Sequence, residues 1–391
     1  MLVSMGLILV SITSTPSATV RNGEFVQIVN GTFSLDGKPY YVAGANSHYL
    51  SWGSTNEVDN VLNDAVAMHL NVIRTFMGPI LGSLDETSVP TIWNSHSTNS
   101  SGALGTNGVY LLYWDTTGHH MAWNDGSNGL QRMDYVISKA QSLHLKMIIE
   151  FLDNWSYIGG APQIAAWYES SDPSTFFFQD PRPRQNFKDL VWHLLNHVNS
   201  YTGVAYKNDP TILGWELMNE PGPSSDTLTE TWITEMSKYV KSIDQNHLLS
   251  SGLDVFDGGT AAGSIWNTML ALPSIDFGVW HAYPLYHDVT PAAIVDHINQ
   301  HCDITKTLHK PVLMEEFGYK STSSIQSHVY DNWTTAVYNN RYCGGWLFWV
   351  LTSMQDNGLY PENAGEGFDI HNDHSASAIV LEDAAIKLES K

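Results

Sequence analysis

The chain is poor in basic residues, with 18 Lys and Arg against 40 Asp and Glu in 391 residues and a formal net charge of −22 at pH 7. A field of that sign repels nucleic acid and anionic lipid, which excludes both as partners and favours neutral or cationic ligands such as a neutral polysaccharide. Cysteine is almost missing. Cys302 and Cys343 are the only two, too few for a disulfide scaffold, and they fit either one bridge in an oxidising compartment or two buried thiols. No Gly-rich phosphate loop, nucleotide fingerprint or Ser-His-Asp arrangement stands out, so nothing here points to nucleotide chemistry or triad acyl transfer. A metal reading would start from the 17 His, including His119-His120 and His371 with His374. Adjacent histidines rarely ligate one ion and polar-loop histidines are usually solvated, so neither a metal nor a cofactor is expected.

What is present is globular in composition: 43% hydrophobic and 15% charged, with 14 Trp and 18 Tyr, more aromatic residues than a core requires. Leu2 to Ile12 is apolar and small residues follow through Ala18, which reads as a signal peptide over 1–18 lacking a basic n-region; the run is too short to span a membrane. Secretion, a soluble monomer and no membrane contact after processing are the expectations. Sequons stand at Asn30, Asn99, Asn154 and Asn332 and matter only in a glycosylating host.

From Phe25 to Tyr40 the pattern is that of a small hairpin around Asp36-Gly37-Lys38 that plugs one end of the fold. Eight strand-like runs follow: Tyr40–Gly44, Val72–Phe76, Met147–Leu152, Ile212–Met218, Leu248–Gly252, Phe277–His281, Val312–Phe317 and Trp346–Leu351. Amphipathic helical stretches lie between them, for example Val58–His69, Leu130–Ser142, Phe187–Ser200 and Thr229–Ile243. Strictly alternating strand and helix predict an α/β chain folded as a single (β/α)8 barrel over 19–391, with no linker, repeat or second domain. The long polar segment Gly78–Asn128 carries Trp93, Trp114 and Trp123, and tryptophans argue against disorder, so it reads as a cleft wall.

Two of the apolar runs end in acids. Gly214-Trp215-Glu216-Leu217-Met218-Asn219-Glu220-Pro221 brings Glu220 to a strand end, and Val312-Leu313-Met314-Glu315-Glu316-Phe317-Gly318 brings a second carboxylate to another. Carboxyl ends of barrel strands form the mouth where such folds do chemistry, and a pair of carboxyls there suits glycoside hydrolysis, one acid protonating the leaving oxygen and the other attacking the anomeric carbon. Asn-Glu-Pro alone equally describes a simple turn. Glu315 and Glu316 are adjacent on a strand and point to opposite faces, and local sequence does not choose between them. Tyr283, in His281-Ala282-Tyr283-Pro284, stands where a phenol hydrogen bond would hold a nucleophile, although satisfied core His and Tyr are the plainer alternative.

From Phe25 to the C-terminus the chain resembles glycoside hydrolase family 5, and within it the secreted endo-β-1,4-mannanases. The likeness is carried by Gly214–Pro221, Glu316-Phe317-Gly318, Asn71-Val72-Ile73-Arg74-Thr75, Asn128–Tyr135, Asn154-Trp155 with Tyr157, Gly159 and Gly160, and Tyr206–Ile212. The resemblance implies Glu220 as acid/base and Glu316 as nucleophile, with Arg74 near the nucleophile and Asn219 on the sugar 2-hydroxyl. It also implies His281 and Tyr283 as the supporting pair and Trp349 as the platform under the −1 sugar. Trp155 and Trp114 are further substrate-binding expectations. Two departures touch substrate grip: Gly222 stands where an arginine often follows Asn-Glu-Pro, and Leu285-Tyr286-His287 where a tryptophan is frequent. An endo-β-1,4-glucanase of the same fold and a non-catalytic sugar-binding barrel are the alternatives; the second would require a missing carboxylate, and both are present.

Overall fold

The computed structural model describes residues 24–93, 108–222, 226–254, 256, 264–361 and 367–391; the leader of 1–18 and the Asn99 sequon lie outside them. Eight parallel strands make one sheet: β1 (Val42–Asn46), β2 (Val72–Phe76), β3 (Lys146–Glu150), β4 (Ile212–Glu216), β5 (Leu248–Ser250), β6 (Gly278–Ala282), β7 (Val312–Phe317) and β8 (Cys343–Phe348). Their order is β5-β4-β3-β2-β1-β8-β7-β6, so each strand lies beside its sequence neighbours and the sheet curls into a nearly closed (β/α)8 barrel. Where β5 meets β6, Asp276 bridges the seam: its backbone N–H donates to Leu249 O and its carboxylate accepts from Leu249 N–H, both at 2.8 Å.

Every residue of β1, β2, β4, β6, β7 and β8 is buried. That is why these strands read as continuous apolar runs and not as alternation: helices cover one face and the barrel interior the other. Amphipathic helices supply the cover. Thr55–Ala67 starts at a Ser54 capping box with Glu57 and buries Val58, Val61, Leu62 and Ala65; Pro181–Asn196 starts at Asp180, with proline in its first turn, and buries Phe187, Leu190, Val191 and Leu194.

One interior cluster is built from the strand residues Val42, Val72, Ile148, Leu213, Leu248, Val279, Leu313 and Leu347, and Phe33 of the N-terminal strands joins it, edge-on to Phe277 at 5.7 Å. Those N-terminal strands, Gln27–Val29, Thr32–Leu35 and Lys38–Pro39, form two antiparallel turns, one more than the sequence suggested. The second turn is at Asn30-Gly31, where φ is positive at both residues (53° and 80°), as it is at Asp36 and Gly37.

Strand ends fall short of the sequence expectation. β3 stops at Glu150 instead of Leu152 and β4 at Glu216 instead of Met218. Leu217 and Met218 are fully buried in the loop that follows, so apolarity there marks a buried loop, which a pattern-based boundary cannot separate from strand.

Within Gly78–Asn128, the described residues form a three-stranded sheet, Ile80–Ser83, Leu112–Asp115 and His120–Trp123. Two of its tryptophans, Trp93 and Trp114, are buried in packing. Trp93 donates its indole N–H to Ile80 O at 2.7 Å, and Trp114, only 8% exposed, packs against Trp167 and Tyr168. Cys302, in helix Ala293–Asp303, is bridged to Cys343 of β8 across 41 residues. The bridge, not the pair of thiols, is what this fold makes.

Candidate active site

The site grows from the carboxyl ends of the strands. Arg74, third residue of β2, is completely buried, and its guanidinium is the hub. Nη1 donates to Glu316 Oε1 (2.7 Å) and Asn46 Oδ1 (3.0 Å); Nη2 donates to Glu216 Oε1 (2.6 Å) and Asn219 Oδ1 (2.8 Å). Asn219 in turn donates through Nδ2 to Asp153 Oδ1 at 3.0 Å, which fixes which way its amide faces.

Glu220 sits four residues past β4 with φ 50°, a left-handed conformation that a non-glycine residue rarely adopts and that surrounding contacts must hold. They do: Glu220 N–H donates to Gly252 O (3.0 Å), and Asn219 N–H to Leu152 O (2.9 Å). Its carboxyl accepts from the Trp155 indole N–H at 2.6 Å and faces His281 Nδ1 at 2.7 Å.

Glu316 accepts from Arg74 and from the Tyr283 hydroxyl at 2.6 Å. The same His281 Nδ1 lies 3.5 Å from Glu316 Oε2. One ring nitrogen thus reaches both carboxyls, which keeps their nearest oxygens closer than the roughly 6.5–9.5 Å that an inverting pair leaves for its water.

Glu315 corrects the sequence argument. The ladder between β6 and β7 slips, with Trp280 opposite Met314 and His281 opposite Glu316, so Glu315 is the extra residue of a bulge. Strict alternation breaks there. Both glutamates approach the interior charges: Glu315 Oε2 is 3.5 Å from Arg74 Nε and 3.7 Å from His281 Nε2.

Electrostatics divide the two acids. Burial pushes Glu316 above the usual carboxylate range, opposed by His281, Arg74 and the Tyr283 hydroxyl. For Glu220 burial also pushes upward, but the His281 contact, the Trp155 indole and Arg74 prevail and hold it low. His281 is pushed down by burial yet held well above its ordinary value by Glu316, Asp254 and Glu220. Without substrate, the proton of the Glu220–His281 contact therefore resides on the imidazole.

A cleft of 530 Å³ opens over these groups. Asn219, Glu220, Tyr283, Glu316, Trp349 and Trp155 line it, and Trp155 is 56% exposed. His281 and Arg74 stand just behind. Trp114 is not among the lining residues of this cleft; its ring packs against Trp167 and Tyr168. His48, Asp153 and Asp254 also line the cleft and were missed. Each follows a barrel strand closely, the same signal that singled out Glu220. His48 stacks on Trp349 (5.1 Å, 17° between planes), and burial lowers it to about 3, so the ring is neutral. Burial raises Asp153 and Asp254 to about 7.

Among the described residues, Glu220, Asp254 and His281 offer donor atoms within 4.8 Å of one another, but Glu220 and His281 are already engaged with each other. His120, of the histidines considered for metal, lies beside Asp115, and His371 faces Thr352.

Residues 109–368 match the family model described as GH family 5 beta-mannosidase-like. The chain belongs to glycoside hydrolase family 5. Mannan endo-1,4-beta-mannosidase 4 of Solanum lycopersicum is 30% identical over 405 residues, covering 94% of this chain and 92% of that protein. Mannan endo-1,4-beta-mannosidase 7 of Arabidopsis thaliana is 28% identical, over 92% and 84% of the two chains. The crystal structure of the endo-1,4-beta-mannanase from Rhizomucor miehei superimposes with a TM-score of 0.80 at 30% identity, covering 94% of this chain and all of that one. This family 5 member therefore shares its barrel with mannan-cleaving relatives along nearly its whole length.

Proposed function

We propose that this chain is a retaining endo-β-1,4-mannanase in which Glu220 is the acid/base and Glu316 the nucleophile. The observation that carries the reading is the division of surroundings about His281: Glu316 is gripped by Arg74 and Tyr283, while Glu220 faces an imidazole and an indole N–H. Glu316 attacks the anomeric carbon as Glu220 gives a proton to the departing glycosidic oxygen, leaving a glycosyl ester on Glu316. Water then enters, Glu220 takes its proton, and Glu316 is released. His281 supplies Glu220 across their 2.7 Å contact, so sugar binding, by displacing water from Glu220, favours transfer of the proton to the carboxyl.

Trp349 offers an aromatic face for the apolar side of the −1 sugar, and Asn219, oriented by Arg74 and Asp153, an amide for its 2-hydroxyl. Trp155 is placed to serve substrate on the side of Glu220. Among the described residues, nothing stands within 4 Å of where a Gly222 side chain would begin, which supports a weak grip on the leaving-group side. The apolar leader and the disulfide support secretion of residues 19–391 as one catalytic unit. Among the described residues, no helix is long and apolar enough to cross a membrane.

Reducing-end release on galactomannan, glucomannan, carboxymethyl cellulose and mixed-linkage glucan tests the substrate. Faster release from the two mannans is expected; faster release from the glucans would replace mannanase by glucanase and leave the two acids in their roles.

A further inference from the structure

Behind the catalytic pair, both ring nitrogens of the completely buried His281 face acid. Nδ1 lies 2.7 Å from Glu220, carried by the loop after β4, and 3.5 Å from Glu316 of β7; Nε2 lies 3.7 Å from Glu315 Oε2, also of β7. Asp254, in the loop after β5, accepts from the His281 backbone N–H at 3.1 Å. Arg74 of β2 brings its Nε to 3.5 Å from the same Glu315 oxygen, while its Nη1 and Nη2 serve Glu316, Asn46, Glu216 and Asn219. His281 Nε2, Arg74 Nε and both Glu315 oxygens have no hydrogen-bond partner among the described residues, so what joins them is charge. A neutral imidazole holds a proton on one nitrogen and a lone pair on the other. With a carboxylate at each end, either lone pair would meet negative charge, and the ring fits only with both nitrogens protonated.

We propose that Glu315 is a positioning residue for the acid/base: its carboxylate, behind Nε2, keeps His281 doubly protonated and so sets the upper pH at which Glu220 can still draw a proton from the ring. The proposal rests on the reading of Glu220 as acid/base. When Glu220 is loaded, the His281 Nδ1–H bond breaks and a Glu220 Oε1–H bond forms, leaving a neutral ring whose remaining proton is on Nε2. That tautomer turns its N–H toward Glu315, so the carboxylate favours the ring both before and after the transfer. Glu220 gives the proton to the glycosidic oxygen, later takes one from water, and can return it to Nδ1. The placement comes from the backbone: Trp280 pairs with Met314 and His281 with Glu316, so Glu315 is the extra residue of the bulge and reaches the interior charges beside its neighbour. Glu316 lines the cleft, whereas Glu315 is fully buried. Burial pushes Glu315 up, but Arg74 and His281 prevail and hold it below the usual carboxylate range, as suits a counter-ion.

The experiment takes Glu315→Gln, which keeps the shape and removes the charge, and measures kcat/KM against pH on whichever of the four polysaccharides the unmodified protein cleaves. The alkaline limb should move down by about 1–3 pH units, because the ring now releases its proton more readily. At its own optimum the variant should lose less than the roughly 100-fold that removal of a general acid costs at the least. The second readout is NMR of the protein labelled with 15N-histidine, in which His281 is assigned by its loss from the spectrum of His281→Gln. At pH 7 both of its ring nitrogens should be protonated in the unmodified protein, and in Glu315→Gln one of those protons should leave at lower pH. An unmoved alkaline limb, activity lost equally at every pH, or a singly protonated His281 in the unmodified protein at pH 7 would overturn the proposal. If Glu315→Gln does not fold, the spectrum of the unmodified protein still decides. Full turnover in Glu220→Gln would instead remove the acid/base reading, while the His281 spectrum would continue to test Glu315 as its counter-ion.

Discussion

A single nitrogen, His281 Nδ1, stands 2.7 Å from one acid and 3.5 Å from the other, and the chemistry assigned to each acid follows from what else touches it. In the proposed mechanism Glu316, held by a guanidinium and a phenol, attacks, and Glu220, facing an indole and a proton-bearing imidazole, donates. Replacing Glu316 by Ala should therefore abolish polysaccharide cleavage. Glu220→Ala should reduce it by about 100- to 10,000-fold while sparing activated aryl glycosides in the first step. Added azide should restore turnover of the activated substrate to Glu220→Ala, because a small anion needs no base to attack the glycosyl ester. Near wild-type turnover in Glu316→Ala would remove it from its role. Glu220 was legible in the sequence as the end of an apolar run, whereas the second run left Glu315 and Glu316 open and only the family resemblance pointed to Glu316. The place of Glu315 was not legible: whether it shares the interior with Glu316 depends on a register slip between two strands 30 residues apart, and nothing in Met314-Glu315-Glu316 encodes that slip.

At the level of elements, the loops after β4 and β5 are laced together. Leu217 N–H donates to Ser250 O (3.1 Å) and Glu220 N–H to Gly252 O (3.0 Å). Gly252 has φ 76°, and a Cβ there would meet Met218 O at 1.8 Å. Only glycine fits, and the loop that must shift to admit a larger residue is the one that carries Glu220. Gly252→Ala should cost about 2–4 kcal/mol of stability and lower kcat more than it raises KM; circular dichroism melts with steady-state kinetics would show both, and an unchanged variant would mean that the loop does not set Glu220. The eight strands were legible because burial on both faces leaves near-continuous apolar runs. Their ends were not, because Leu217, Met218, Phe151 and Leu152 are as buried as the strands themselves. Trp114 shows the same limit from the other side: composition marks an aromatic loop, but only packing tells a cleft wall from a small sheet stapled by its tryptophans.

Across the whole molecule, a charge of −22 and a mouth crowded with carboxyls tie stability to pH. Asp153 and Asp254 bind protons up to about pH 7 in the fold but release them near 3.8 when unfolded, so their contribution is full at low pH and is lost as pH rises through 7. His281, held well above 6.5, likewise contributes below that value and loses its contribution at higher pH. Asp134 and Asp244 are held below 3.8 by histidine and backbone donors; their contribution is present above 3.8 and disappears as pH falls through their lowered values. The melting temperature should therefore be higher near pH 5 than near pH 8 and fall again below about pH 3.5, and a steady rise from pH 5 to pH 8 would contradict these assignments. The central claim, that this barrel places a nucleophile and an acid/base on one β-mannosidic bond, is tested most directly by proton NMR of the first product released from a manno-oligosaccharide. The β-anomer should appear first and the α-anomer only as mutarotation proceeds; α-anomer at the earliest times would mean direct attack by water and would contradict the covalent role of Glu316.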